Sequence, residues 1–366
     1  SSIVSNCVWS CWLGSLSKAI KINNKPITLT SDFLDTEADL TADNTWSLRS
    51  GGKELATWSR KGNEPQVPYL TIPLQVPEAR TVFGSDEVYT YKANDSTVAD
   101  LDGDGEYELV MKWEVSNPKL PPASGYAGNT LIDAYEFDGT RMWRIDLGHN
   151  IRSGPPTTQF LVFDYDGDGK AELCCKTADG TIDGQGNVIG DPTIDNRITD
   201  KDDPTYGKVI LGLEYVTVFD GTTGKALDTE EYIPTRYPLD SWGGWGGNGL
   251  TDNLGERSDR FSAGVAVLDG KNPSPFFVRG WYGRIVVAAW TFTDGDLKPL
   301  WTFDSSERRW AGYSGNGNHS VTVGDFDNDG KDDKNSGYRA GKQNMQVSAF
   351  CQEEPVDGNI DRNCRQ

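Results

Sequence analysis

Short apolar runs and alternating segments, separated by glycine, asparagine and aspartate, recur along most of the chain. In three segments apolar residues alternate with polar ones on both sides of an Asp-Gly turn, the pattern of a β-hairpin, at 131–147, 215–232 and 286–303. Two continuous apolar runs, 109–111 and 173–175, are typical of buried strands. The pattern predicts an all-β protein with many short strands.

Weaker alternation marks the first part of the chain. Strands are predicted at 46–49, 55–59 and 71–77, with Gly51-Gly52 as a turn. After Asp333 the alternation ends. We therefore divide the sequence into a small N-terminal β module (1–93), a repeated region (94–333) and a divergent tail (334–366).

An acidic loop occurs three times in the repeated region. It reads VADLDGDGEYEL at 98–109, FDYDGDGKAEL at 163–173 and GDFDNDGKDD at 324–333. Carboxylates stand at positions 1, 3, 5 and 9, and the seventh residue can offer its backbone carbonyl. The positions are Asp100, Asp102, Asp104, Glu106 and Glu108 in loop 1 (100–108); Asp164, Asp166, Asp168, Lys170 and Glu172 in loop 2 (164–172); and Asp325, Asp327, Asp329, Lys331 and Asp333 in loop 3 (325–333).

This spacing predicts a calcium site in each loop, since Ca²⁺ prefers clustered oxygen ligands. Glycines such as Gly103 and Gly105 allow the left-handed turns that gather the carboxylates. Carboxylates ~4 Å apart repel each other by roughly 1–4 kcal/mol, so a loop without a cation should open or take up protons. In loops 1 and 2 apolar residues follow position 9, which predicts that these loops connect strands. In all three loops we expect an ion with a structural role. An acidic surface turn is the alternative.

Composition narrows the possible partners. With 366 residues, 36% of them apolar, the chain can bury one large core or two modest ones. A net charge of −20 argues against nucleic acid and anionic membranes as partners, and a cation must bridge to any anionic substrate. In a chain of this size the six cysteines do not indicate a disulfide framework; Cys7, Cys11, Cys351 and Cys364 can be bridged or free, and one of Cys174 and Cys175 should face the core.

The order of loops and hairpins predicts the architecture. Loop, hairpin, loop and hairpin follow in sequence, and 260–270 then stands where a further loop is expected. Strand-rich units repeated in this way favour β-propeller blades with their loops on one face. A pair of sheets packed as a β-sandwich is the competing architecture.

Two long glycine-rich regions, 177–208 and 236–260, are candidates for the wall of a binding cleft. Trp242 and Trp245 could stack on sugar rings there or could plug the loop against a sheet. His319, one of only two histidines, precedes loop 3 and is a candidate metal ligand or base, with a packing role as the alternative.

The longer motifs carry a family resemblance. They are VADLDGDGEYELVMKWEVSN, DAYEFDGTRMWRIDLGHNIRSG, TQFLVFDYDGDGKAELCCKTADGT, DRFSAGVAVLDG and GNGNHSVTVGDFDNDGKDD. Over residues 22–333 the chain resembles the rhamnogalacturonan lyases of polysaccharide lyase family 11. The resemblance implies an eight-bladed calcium-binding propeller that cleaves the rhamnose-galacturonate backbone of pectin by β-elimination. The family's propeller continues beyond loop 3, which predicts an incomplete ring in this sequence.

The resemblance also implies roles for individual residues. It implies structural Ca²⁺ in the three loops, a metal or substrate role for His319, and saccharide contacts for Asn117 and Asp133. For the base that removes the proton beside the uronate carboxylate, the candidates are His319, Tyr313 and Arg309. We interpret His319 as a calcium ligand, because a metal-bound imidazole nitrogen cannot accept a proton.

The functional prediction is therefore a calcium-assisted rhamnogalacturonan lyase acting outside the cytosol, where calcium is abundant, on anionic rhamnogalacturonan I. The alternative is a non-catalytic, calcium-stabilised propeller fragment that binds polysaccharide or protein. A glycoside hydrolase with paired carboxylates fits less well, since most clustered acidic residues belong to the loops.

Overall fold

The computed structural model describes residues 18–22, 25–29, 38–39, 41–50, 53–63, 69–237, 242–243, 254–315, 320–325, 330–337 and 346–349. Within these residues the regular structure is β-strand, apart from one short 3-10 turn at Ala311–Tyr313. The all-β prediction is confirmed. None of the described helical structure is long and apolar enough to cross a membrane.

Contacts divide the chain into two compact units, Ser1–Thr71 and Ile72–Gln366. The first holds a four-stranded antiparallel sheet in the order β2-β1-β3-β4. Its strands are β1 (Lys18–Ile22), β2 (Lys25–Leu29), β3 (Asn44–Ser50) and β4 (Lys53–Arg60). The strands predicted at 46–49 and 55–59 are confirmed.

The second unit contains four larger antiparallel sheets and one small hairpin. The hairpin is β5 (Arg80–Thr81) with β6 (Val88–Tyr89). The first sheet has β7 (Tyr91–Ala99), β8 (Glu108–Val115), β9 (Leu131–Tyr135) and β10 (Arg141–Asp146), extended by β13 (Thr181–Ile182) and β14 (Val188–Ile189). The second sheet has β11 (Phe160–Phe163), β12 (Glu172–Ala178), β15 (Glu214–Phe219) and β16 (Ala226–Glu231).

The third sheet has β17 (Phe261–Ala266), β18 (Ser274–Arg279), β19 (Val286–Thr293) and β20 (Asp296–Asp304), and the fourth has β21 (Ser320–Gly324), β22 (Asp333–Gly337) and β23 (Gln346–Ala349). All three predicted hairpins are present, as β9-β10, β15-β16 and β19-β20. Each acidic loop joins the first strand of a sheet to the second, as the apolar residues after position 9 predicted for loops 1 and 2.

Three features of the fold differ from the prediction. Residues 71–77 form no strand, since Pro73 and Pro77 lack the N–H that a ladder requires. The division between the units lies at residue 71 rather than 93, because β5, β6 and β7 pack in the second unit. Residues 334–337 and 346–349 are not structureless, because β22 and β23 pair and extend the fourth sheet although their residues are mostly polar.

Successive sheets of the second unit pack face to face with an apolar core between each pair. Leu173 and Cys175 of β12 point into the core shared with the first sheet, whereas Cys174 points into the core shared with the third. Both cysteines are fully buried, since β12 is covered on both faces. We predicted that one of these two cysteines faces a core; in the structure each of them faces one.

Candidate metal centre

Loop 1 is a compact turn organised by its own carboxylates. Asp100 accepts hydrogen bonds from the amides of Gly103 (Oδ1, 2.7 Å) and Gly105 (Oδ2, 3.0 Å). Both glycines have positive φ, 80° and 91°, a conformation that costs little only without a β-carbon. The chain forms this turn because Asp100 accepts hydrogen bonds from backbone amides that would otherwise have no partner in the turn.

Glu108 closes loop 1 from the first position of β8. Its side chain is buried, and Oε2 accepts the amide of Leu101 at 2.5 Å. One carboxylate oxygen from each of Asp100, Asp102 and Glu108 lies within 4.8 Å of the other two. Oxygens bound to a single Ca²⁺ at 2.3–2.6 Å are at most about 5 Å apart, so this group fits one ion.

Loop 2 repeats the same geometry. Asp164 accepts the amides of Gly167 and Gly169 at 2.7 and 3.0 Å, and Glu172 Oε2 accepts the amide of Tyr165 at 2.9 Å. Oxygens of Asp164, Asp166 and Glu172 also converge within 4.8 Å. Two groups that could hold a metal ion are therefore formed by the same backbone conformation.

The fifth-position residues lie outside these two groups. Oδ1 of Asp104 and of Asp168 each accepts the amide of the seventh residue, Glu106 or Lys170, at 2.8 Å. Their part in holding an ion, and that of the carbonyls of residues 106 and 170, stays a prediction.

Loop 3 is described only in part. Asp325 Oδ2 accepts the amide of Gly330 at 3.0 Å, the same contact that the first position makes in loops 1 and 2. Asp327, Asp329 and His319 lie outside the described residues, and the predicted roles of Lys331 and Asp333 stay predictions.

The third sheet has a turn in the corresponding place. Ala266 pairs with Ser274 as Ala99 pairs with Glu108, so Ser274 occupies the position of the buried glutamate. Val267 takes the place of the first aspartate. This turn keeps one aspartate, Asp269, which accepts the amides of residues 271 and 272. It occupies the same place in its sheet as the acidic loops but lacks their ligand set.

Burial raises the pKa of the two closing glutamates. The pKa of Glu172 rises to about 8, chiefly because desolvation disfavours the charged form, and the carboxylates of Asp166 and Asp164 add to the rise. Burial likewise raises the pKa of Glu108 to about 6. The charges that act most strongly on Glu108 and Glu172 are those of neighbouring carboxylates. A bound cation would therefore stabilise the ionised form of each glutamate.

We expect calcium affinity to fall as the pH is lowered, because the ion binds the ionised carboxylates. Loop 2 should weaken first, below about pH 8, by up to about tenfold per pH unit, and loop 1 only below about pH 6. Calcium titrations in buffers between about pH 5 and pH 9, with proton release recorded, measure the pH dependence of calcium binding in both loops. Affinities that do not change with pH over this range would contradict the prediction.

Two residues predicted to contact saccharide, Asp133 and Trp242, are buried in the structure. Asp133 is fully buried in β9, where it accepts hydrogen bonds from Trp113, Tyr135 and Arg144. Trp242 is also fully buried; its Nε1 donates to the carbonyl of residue 236 at 2.7 Å. Both side chains are packed inside the protein. For Trp242 this agrees with the packing role that was the alternative to sugar stacking.

Three further predicted site residues, Asn117, Arg309 and Tyr313, lie at least partly at the surface. Asn117 is partly exposed, with its amide donating to Glu87 at 2.8 Å. Arg309 is exposed beside Glu307, and Tyr313 is partly exposed, packing on Phe303. Trp245 lies outside the described residues.

The structure contains a buried ionic network in the second and third sheets that was not predicted from the sequence. Glu214 accepts hydrogen bonds from Arg236 (2.8 Å), Arg279 (2.7 Å) and Lys176 (3.2 Å). Arg236 also bonds Asp259 at 2.9 Å. Burial alone would raise the pKa of Glu214, but the three cations hold it well below its usual range. The residues are far apart along the chain, so no local pattern could have identified the network.

Comparison with known proteins decides the family. The sequence model of "Rhamnogalacturonan lyase family 11, C-terminal domain" matches residues 69–347, which include most of the second unit and loops 1, 2 and 3. This chain belongs to rhamnogalacturonan lyase family 11. We predicted that the resemblance ends at residue 333, but the family model matches as far as residue 347. This part of the chain includes β22 and the start of β23.

Two characterised relatives are rhamnogalacturonan exolyase YesX and rhamnogalacturonan endolyase YesW of Bacillus subtilis (strain 168). The identities are 46% over 314 residues and 45% over 315 residues, each covering 86% of this chain and 48% of the relative. This chain thus spans about half the length of these relatives.

Solved structures of family 11 lyases have the same fold over most of this chain. A Bacillus licheniformis rhamnogalacturonan lyase matches with a TM-score of 0.75 and 45% identity, covering 87% of this chain and 53% of that protein. The exotype lyase YesX matches with a TM-score of 0.73 and 44% identity, over 87% of this chain and 51% of YesX.

Proposed function

We propose that this chain is part of a lyase that cleaves the backbone of rhamnogalacturonan I by calcium-assisted β-elimination. The family match over residues 69–347 carries the proposal, and two relatives with about 45% identity are named rhamnogalacturonan lyases. The convergent carboxylates of loops 1 and 2 support the calcium requirement.

The proposed ions in loops 1 and 2 have a structural role. Asp100, Asp102 and Glu108 direct their oxygens toward one another, and Glu108 is buried at the start of β8, so an ion held by these residues would tie the turn to that strand. The ions would hold each turn closed and fix the ends of the strands that it joins. His319 is our candidate ligand for a separate ion that contacts substrate.

β-Elimination requires a base for the proton beside the uronate carboxylate and positive charge near that carboxylate. A Ca²⁺ held by His319, the candidate ligand, would supply positive charge of this kind. Arg309 suits carboxylate binding better than proton removal, since a guanidinium group donates hydrogen bonds and does not accept a proton. Tyr313 is then the better candidate base among the described residues, because a phenol can be deprotonated near an ion.

We also propose that the four sheets of the second unit are consecutive blades of a β-propeller. Their first strands contact one another in order, β7 with β11, β11 with β17 and β17 with β21. Three apolar cores alternate with the four sheets, whereas a single sandwich would have one core between two sheets. Loops 1 to 3 then lie at one end of the blades. We propose that the protein acts outside the cytosol, where calcium is abundant.

The test is ultraviolet absorbance of the unsaturated uronate product, measured with the 366-residue chain on rhamnogalacturonan I and on homogalacturonan, with Ca²⁺ or with chelator. We expect a calcium-dependent rise on rhamnogalacturonan I alone. No rise from folded, calcium-loaded protein would exclude catalysis by this chain and favour a polysaccharide-binding module.

A further inference from the structure

Loops 1 and 2 meet at a single close-packed junction. The amide of Ala171 donates to the carbonyl oxygen of Asp100 at 2.8 Å. Ala171 is the eighth residue of loop 2, between Lys170 and Glu172, and Asp100 is the first residue of loop 1. A backbone hydrogen bond therefore joins a residue flanked by predicted ligands of one loop to a ligand residue of the other.

Further contacts leave the junction little room to adjust. The stem of Lys170 lies against Gly103, where a β-carbon would be 3.1 Å from its Cγ. Thr222 Oγ1 donates to the carbonyl of Leu101 at 3.1 Å, and Gly221 packs so tightly on Ala171 that a β-carbon would overlap its carbonyl oxygen. Movement of either loop must therefore displace the other.

We propose that loops 1 and 2 bind Ca²⁺ with positive cooperativity through this junction. The inference rests on the proposed calcium role. Without an ion, repulsion between Asp164, Asp166 and Glu172 favours an open loop 2 and shifts the backbone of Ala171. An ion in loop 2 fixes Ala171, which holds Asp100 in place for loop 1. By linkage the effect is reciprocal, each ion strengthening the other by the same factor.

Loop 3 provides an internal comparison. The same junction recurs between loop 3 and the turn of the third sheet: the amide of Asp332 donates to the carbonyl of Val267 at 3.0 Å, and Asp332 Oδ2 accepts the amide of Val267 at 2.8 Å. That turn lacks the ligand set, with Val267 and Ser274 in place of carboxylates. Loop 3 thus has a partner that takes no ion, so it should bind Ca²⁺ independently of loops 1 and 2.

The experiment follows each loop separately by hydrogen exchange and mass spectrometry of the complete chain. Chelator-treated protein is titrated with CaCl₂, and protection is measured in peptides that cover 100–108 and 164–172. Three variants are compared with the parent: Asp166→Asn in loop 2, Asp102→Asn in loop 1, and Asp325→Asn in loop 3 as the control. Each replaces one carboxylate by an amide of the same shape.

We expect Asp166→Asn to raise the calcium midpoint of 100–108 at least about fivefold, and Asp102→Asn to raise that of 164–172 by the same factor, while Asp325→Asn changes neither. Unchanged midpoints in the unmutated loop, or an equal shift from Asp325→Asn, would overturn cooperativity alone. Absence of any calcium-dependent protection in the parent would overturn the proposed calcium role itself, and cooperativity with it.

Discussion

Replacing Glu214 by glutamine is expected to lower the free energy of unfolding by roughly 3–5 kcal/mol. Glu214 is buried, and it compensates the buried charges of Arg236, Arg279 and Lys176. An amide keeps the shape but removes the negative charge, leaving these cations with too little compensation far from water. Urea unfolding monitored by tryptophan fluorescence measures the change.

Glu231→Gln is the matched control. It makes the same substitution at the end of β16, one strand away from Glu214, but at an exposed position. We expect a change within about 0.5 kcal/mol. If Glu214→Gln were as mild as the control, the network would not be the main electrostatic support of these two sheets.

Removing calcium is expected to have a comparable effect. An ion that binds only the folded protein stabilises it by about 2.7 kcal/mol at a free concentration 100 times Kd, so two occupied loops should together contribute about 5 kcal/mol. Chelation also restores the repulsion among Asp164, Asp166 and Glu172. Thermal unfolding with Ca²⁺ and with chelator shows the difference.

Mg²⁺ is the ionic control for this experiment. It demands near-octahedral geometry and releases its water reluctantly, so it should restore little of the stability that chelation removes. Equal melting temperatures with Ca²⁺ and with chelator would be incompatible with ions bound in loops 1 and 2. Full recovery with Mg²⁺ would show that the loops do not select for calcium.

Much of the fold was predictable, because its signals are local. The hairpins at 131–147, 215–232 and 286–303 combine period-two alternation with an Asp-Gly turn, and neither depends on distant residues. The polar strand β22 was missed for the opposite reason: it is held by its pairing with β21 and β23 rather than by any preference of its own residues.

The candidate site divides in the same way. In each acidic loop the ligands lie within nine residues, so spacing alone predicted that Asp100, Asp102 and Glu108 would converge. Asp133 and Trp242 were assigned to saccharide because of their residue type and position in motifs. Their burial depends on neighbours contributed by other strands, which sequence spacing does not reveal.

The sequence by itself determined the strand-rich fold, the acidic loops and, through their motifs, the family, because each depends on residues close together in the chain. Only the tertiary structure decided that β12 is buried on both faces, that Glu214 compensates three cations, and that Ala171 joins loop 2 to loop 1. These properties come from contacts between distant segments, since burial and charge compensation arise only when the sheets pack.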